Sequence, residues 1–178
     1  MMMLRASRNR TRGYAIAESP AFLYVLFLGL TFPLVNLCTV GLRYSFLVIA
    51  AHESATQAAL SRTFQQETSP TDPSAKTAAE QTAQLMTRSF DGVHLKNVTT
   101  RIEVTHIDTK AVVRTEDRLA LPADTTNFMY MLETELAAQV NPLIAMDMKG
   151  IDIPGLTGPM QVSVCSRKLS ENPQGLNQ

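Results

Sequence analysis

Cysteine is scarce in this sequence: only Cys38 and Cys165 occur in 178 residues. Cys38 lies inside a long apolar run and Cys165 in the polar C-terminal part. A disulfide needs Cα atoms within about 7 Å, so a thiol in an apolar span and one in an aqueous domain are not expected to pair. Each reads instead as a small packed thiol. Histidine is equally sparse, and its three copies show no metal spacing. His52-Glu53 lacks the second histidine, four residues on, that a zinc-protease helix requires. His94 and His106 flank a predicted strand. There is no glycine-rich phosphate loop and no nucleophile elbow. Asp91, Glu103 and Asp108 are acids that only folding could bring to a histidine. No catalytic constellation, no metal site and no cofactor are therefore expected.

Charge is missing altogether between Glu18 and Arg43. The core of that gap, Ala21 to Leu42, spans roughly 33 Å as a helix, enough for the hydrocarbon core of a bilayer. Charge of one sign is also missing before it: residues 1–13 hold Arg5, Arg8, Arg10 and Arg12 and no acid. Arginines beside an apolar span orient it, which predicts a cytoplasmic N-terminus by the positive-inside rule. The rest of the chain is mildly acidic, whereas a nucleic-acid partner requires a cationic face, so none is expected. A cleaved secretory signal has an apolar core of about 7–15 residues ending at a small-residue site. This run is longer, and a helical pattern continues past Cys38-Thr39-Val40-Gly41, so a retained anchor is expected.

Glu18 stands at the edge of the span, where a carboxylate is costly unless it is paired or reaches polar surroundings. Five residues before it is Gly13, followed by Tyr14. The arginine leader, Gly13, Glu18 and the apolar helix together resemble the processing site of type IV prepilins. That resemblance implies cleavage between Gly13 and Tyr14 by a membrane peptidase. It also implies that Glu18 becomes an assembly carboxylate, neutralising the new N-terminal amine of a neighbouring subunit. A carboxylate and an ammonium are each expensive alone in a low dielectric and far cheaper as a pair.

Within the span, Pro20, Gly29 and Pro33 interrupt good helix. Pro33 and Asn36 predict a kink, with Asn36 bonding either the backbone that proline frees or a partner helix. The helix is expected to continue through residues 43–64, which lack Gly and Pro. Ala51, Ala55 and Ala59 share one face there, either as a packing stripe or simply as good helix formers. Gly13 to Pro20, the span, Gly41-Leu42-Arg43-Tyr44 and the alanine-rich helix through Ala59 resemble the TadE/TadG-like proteins of the tight-adherence (Flp) pilus apparatus. The likeness covers about residues 12–64. It implies a minor pilin or pseudopilin working with a prepilin peptidase, other pilin-like subunits and an inner-membrane assembly platform. The alternative is an uncleaved, signal-anchored extracytoplasmic binding module unrelated to pili.

Residues 67–74 read as a linker, and 75–90 as a helix capped by Ser74, ended by Asp91-Gly92, with Ala79, Ala83 and Met86 inward. Period-two patterning follows. Val98, Ile102 and Val104 share a parity that Val93 and Leu95 do not, so a bulge is predicted near Lys96-Asn97. A turn at Asp108-Thr109 leads to Ala111, Val113 and Thr115, completing a hairpin. Phe128, Leu132, Leu136 and Val140 recur every fourth residue and predict a helix capped by Asp124 or Thr125. Residues 146–159 read as loop, and Met160 to Cys165 as a last strand joining the hairpin.

The expected fold class is thus α+β: a transmembrane helix continuing into a long helix, then a small antiparallel sheet with packed helices. The expected division is a cytoplasmic leader (1–13), the helix (14–64), a linker (65–74), an extracytoplasmic domain (75–169) and a frayed tail (170–178). The expected location is the bacterial inner membrane, crossed once, with the domain in the periplasm.

Overall fold

The computed structural model describes residues 11–67, 69, 72–145 and 153–178, with 11–18 described by their helical backbone alone. Helix α1 (Thr11–Leu26), one π-turn (Phe27–Thr31) and helix α2 (Phe32–Leu60) form a continuous rod. The π-turn has a local cause. Pro33 has no N–H to give to the carbonyl of Gly29, four residues back. The turn before it widens, and the Phe32 N–H donates to the Phe27 carbonyl, five residues back. The interruption predicted at Pro33 and Asn36 therefore lies just ahead of the proline.

Helix α2 ends at Leu60, where Ser61 turns to extended backbone (ψ 148°). Helix α3 (Ala75–Arg88) starts at Ser74, whose Oγ accepts from the Thr77 N–H at 3.4 Å, as the cap signal predicts. Strands β1 (Val93–His106), β2 (Val112–Thr115), β3 (Phe128–Val140) and β4 (Met160–Leu169) form one antiparallel sheet in the order β2-β1-β3-β4. The β1–β3 register shifts between Leu95 and Asn97, which is the predicted bulge. Helices α2 and α3 lie on one face of this sheet, so the α+β class holds.

The core lies between that face and the helices. Ile102, Leu132 and Leu136 are fully buried against Leu47, Ala50, Ala51, Ala58, Ala79 and Ala83. The alanine stripe of α2 is thereby a packing face, used within the chain: Ala51, Ala55 and Ala59 are all buried. Small side chains let α3 and the sheet approach the rod closely, which a larger residue would prevent.

Three expectations are corrected. The segment 128–140 is the inner strand β3, not a helix. A spacing of four satisfies both a 3.6 and a 2.0 period, and the finer pattern is alternate: Tyr130, Leu132, Thr134, Leu136, Ala138 and Val140 are all buried. Pairing to strands on both sides decides the matter. Asp124 accordingly caps a turn. Its carboxylate accepts from the Thr126 N–H at 2.9 Å and the Asn127 amide at 2.8 Å, and these bonds hold its pKa below the usual carboxylate range. Second, β4 joins β3, not the hairpin, because β3 stands between them. Third, the polar tail is packed. Residues Pro173–Asn177 form a 3-10 turn, and Leu176 is 2% exposed in the core. The Phe64 and Gln65 N–H groups donate to the Gln178 carbonyl, and the Leu119 N–H to that of Leu176.

Candidate functional site: an apolar rod clasped by a loop

The rod is long and apolar enough to cross a membrane, and it is the one such helix among the described residues. Its exposure changes along its length. Between Ser19 and Thr31 no described side chain is buried, and Phe22, Leu23, Tyr24, Val25, Phe27 and Leu30 are each more than half exposed. From Phe32 onward one stripe is covered: Phe32, Asn36, Val40, Arg43, Leu47 and then the alanines. These positions recur every three or four residues, so a single line of the helix faces the domain.

Asn36 is the polar member of that stripe and is fully buried. Its amide nitrogen donates to the carbonyls of Ile144 (2.9 Å) and Leu156 (3.0 Å), and its Oδ1 accepts from the Ile144 N–H at 3.1 Å. Neither freed helix backbone nor a partner helix satisfies it, contrary to expectation. The connection between β3 and β4, more than a hundred residues away in sequence, does so.

Arg43 makes a second clasp two turns further along. It is 9% exposed, and its Nη1 donates to the Asn141 carbonyl at 2.6 Å. Gly92, at φ +81°, lies beneath the guanidinium: a Cβ there would overlap Arg43 Cζ. The Asn141 N–H in turn donates to the Gly92 carbonyl at 2.9 Å. Phe46 stacks on Phe90 beside this site, with ring centroids 4.1 Å apart. Together these contacts lock the rod to the ends of β1 and β3.

Arg43→Ala should lower stability by about 2 kcal/mol, the loss of a charged hydrogen bond. Gly92→Ala should cost about 2–3 kcal/mol, from left-handed strain plus displacement of the guanidinium. The double substitution should cost less than the sum, since the arginine is displaced only once. Thermal unfolding in detergent measures all three; strictly additive losses would show that the guanidinium does not rest on Gly92.

Among the sequence-derived site residues, Gly13, Tyr14 and Glu18 lie on α1, and their side chains fall outside the described part. The leader before Thr11 lies outside it altogether. Asp91, Glu103 and Asp108 do not gather at one histidine: Asp91 shares a groove with His94, and Asp108 follows His106 in the hairpin turn. The Glu103 carboxylate is taken by Arg114 (2.8 Å) and Arg167 (3.6 Å). His106 Nδ1 accepts from the Asp108 N–H at 3.2 Å, shaping the hairpin turn. Among the described residues no group of His, Cys, Asp and Glu could hold a metal ion.

Glu103 belongs to an ionic layer on the sheet face away from the helices. Arg167 binds Glu133 at 2.6 Å, and Arg101 binds Glu116 at 2.8 Å and Glu135 at 3.1 Å. Glu103 and Glu133 are only 5% and 4% exposed, so the guanidinium groups do the covering that a second layer would otherwise do. Hydrogen bonding holds Arg101 and Arg167 protonated beyond the usual arginine range: Glu116 acts on the first and Glu133 on the second. Burial, and then Glu133, push the Cys165 thiol up. Each carboxylate of this layer is ion-paired with an arginine. A groove of about 790 Å³ between α3 and β1 is lined by Glu80, Arg88, Asp91, His94 and Lys96 among others. Its mixed signs create no field for a ligand of one charge.

No protein-family model, curated protein or solved structure matches the chain.

Proposed function

We propose that this chain is a TadE-like minor pilin or pseudopilin, a membrane-anchored component that assists assembly of a Flp-type pilus or a related secretion filament. It would reside in the bacterial inner membrane, with its N-terminus cytoplasmic and its domain periplasmic. Its action would be helix packing in the bilayer, not catalysis. A prepilin peptidase would cut between Gly13 and Tyr14, and Glu18 would pair with the amine of a neighbouring pilin-like subunit on the assembly platform.

One observation carries the reading: a helix runs without a break from the Gly13–Glu18 motif through the apolar span to Leu60, and the domain is packed directly on its second half. A subunit recognised through its N-terminal helix would thus bring its domain to a defined place beside the next one. The uncovered face from Ser19 to Thr31 supports this too, since lipid or sibling helices must cover it.

The N-terminal residue and intact mass of protein recovered from membranes test the reading. A chain beginning at Tyr14 only when the peptidase is present is the expected result. Glu18→Ala should then abolish recovery of sibling subunits while the anchored protein accumulates normally. A chain that keeps its arginine leader, with partner recovery unaffected by Glu18→Ala, would instead favour an uncleaved anchored binding module.

A further inference from the structure

We propose that the groove between α3 and β1 is a peptide-binding site, in which an extended segment of a partner protein adds as a strand to the open edge of β1. The segment it takes is basic toward its N-terminal end and acidic toward its C-terminal end. This goes beyond the pilin reading and rests on the fold of the domain alone.

The edge is the first argument. Strand β2 pairs with β1 only from Ile102 to Thr105, so β1 before Ile102 is paired on one side alone, to β3. In an antiparallel ladder successive residues turn their N–H and C=O groups to opposite sides. The His106 N–H donates to the Ala111 carbonyl, on the side of β2, and the Ile107 N–H to the Asn127 carbonyl, on the side of β3. By alternation Val104, Ile102, Thr100 and Val98 all turn toward the side of β2. Strand β2 meets the first two. Among the described residues nothing bonds the backbone of Val98 and Thr100 on that side. An edge of this kind is a template for one more strand.

The groove is the second argument. The space of about 790 Å³ runs on into a further one of about 350 Å³, and the two share Glu80, Asn97 and Val98 in their linings. Together they follow β1 from Val93 to Thr100, with α3 as the opposite wall. A strand rises about 3.3 Å per residue, so a bound segment of six residues covers about 20 Å of this edge. A second copy of the sheet fits less well. The bulge between Leu95 and Asn97 twists the edge, and Lys96 stands at it; both features oppose sheet-to-sheet pairing. A single short strand follows such a bend.

Charge sets the direction and the chemistry. Arg88 and Lys96 outnumber Asp91 at the Val93 end of the groove, while Glu80 and Glu116 outnumber Lys76 at the Thr100 end. A segment antiparallel to β1, the more stable pairing, starts at the Thr100 end and finishes at the Val93 end. It meets acids first and bases last, which selects a base near its N-terminus and an acid near its C-terminus. The mixed signs of the groove, unsuited to a ligand of one charge, match the two ends of such a strand.

Random hexapeptides in a display library would be selected against the full chain in phosphatidylcholine nanodiscs, with empty nanodiscs as the counter-selection. The enriched peptide would then be made plain and in two further forms, N-methylated at its odd or at its even nitrogens. Selection should favour a basic residue in the first half and an acidic one in the second. One N-methylated form should bind about tenfold or more weakly while the other binds like the plain peptide, because a strand turns only alternate N–H groups to its neighbour. Amide exchange at Val98 and Thr100 should slow about tenfold or more with the plain peptide bound. Arg88→Glu with Lys96→Glu should weaken binding about tenfold. Val98→Pro should abolish binding at an unchanged melting temperature, since that N–H serves no native ladder bond and proline is tolerated on an open edge. No peptide enriched over empty nanodiscs, two N-methylated forms that bind alike, or full binding to a folded Val98→Pro would each overturn the proposal. If Val98→Pro melts lower than the parent, the N-methylated pair and the exchange at Val98 and Thr100 decide the matter without it. None of these outcomes bears on processing at Gly13.

Discussion

Gly175→Ala should release the C-terminal turn and lower stability by about 3 kcal/mol or more, because a buried leucine and its attached bonds go with it. The added Cβ would overlap the carbonyl of Arg62, and behind it Thr63 Cα lies at 3.5 Å. That neighbour is backbone and cannot rotate away. Nor can it easily shift, since the Ala75 N–H donates to the Thr63 carbonyl and Phe64 is fully buried. The turn itself must leave. Leu176 would come out of the core, and the Phe64, Gln65, Leu119 and Glu171 N–H groups would lose the acceptors or the geometry that pair them now. Thermal unfolding in detergent and amide exchange at Phe64, Gln65 and Leu119 give the answer. Exchange as slow as in the parent would show that the turn is held without this close approach.

Asn36→Leu should loosen the clasp between the rod and the β3–β4 connection at a cost of about 2–4 kcal/mol. Leucine has the same branched side-chain skeleton but leaves the Ile144 N–H, the Ile144 carbonyl and the Leu156 carbonyl without partners. Unpaired buried backbone groups cost about 1–3 kcal/mol each, and neighbouring losses do not simply add. The rod itself should keep its helix, since leucine is the better former. The expected signature is a lowered unfolding temperature together with faster proteolysis of the connection in detergent. Unchanged cleavage and melting would mean that apolar packing at Phe32 and Val40 holds the connection unaided.

The elements legible in the sequence were those with local signals. Ser74 announces α3 because an N-cap acts within three residues of itself. The bulge before Asn97 shows as a change of parity inside one strand. The segment 128–140 was misread because its signal is not local. A stripe at every fourth position fits helix and strand alike, and alanines and glutamates within it favour helix. Hydrogen bonding to β1 and β4 overrides that preference, and those partners lie far away in the chain. The tail was misread for a related reason: its residues are polar, yet Leu176 finds a core that Phe64, Ala123 and Tyr130 build for it.

The candidate site divides along the same line. Residues Gly13, Tyr14 and Glu18 were legible as a motif because spacing along one helix carries it. The clasp was not. Asn36 showed as a lone amide in an apolar span and Arg43 as the first charge after it, but their partners lie 108 and 98 residues away at Ile144 and Asn141. A lone buried amide opposite a long Gly- and Pro-rich loop is the trace that could have been followed.

By itself, then, the sequence determined that a charge-free helix of membrane length leads the chain, that an α+β domain follows, and where α3, β1 and the hairpin begin. Each of these rests on hydrophobic period, charge or capping, which act over a few residues. Only the tertiary structure decided that β3 is an inner strand, that the tail closes the core, and that a distant loop grips the rod at Asn36 and Arg43. Those outcomes depend on which distant groups meet, and burial makes each unpaired donor or acceptor too costly to leave open.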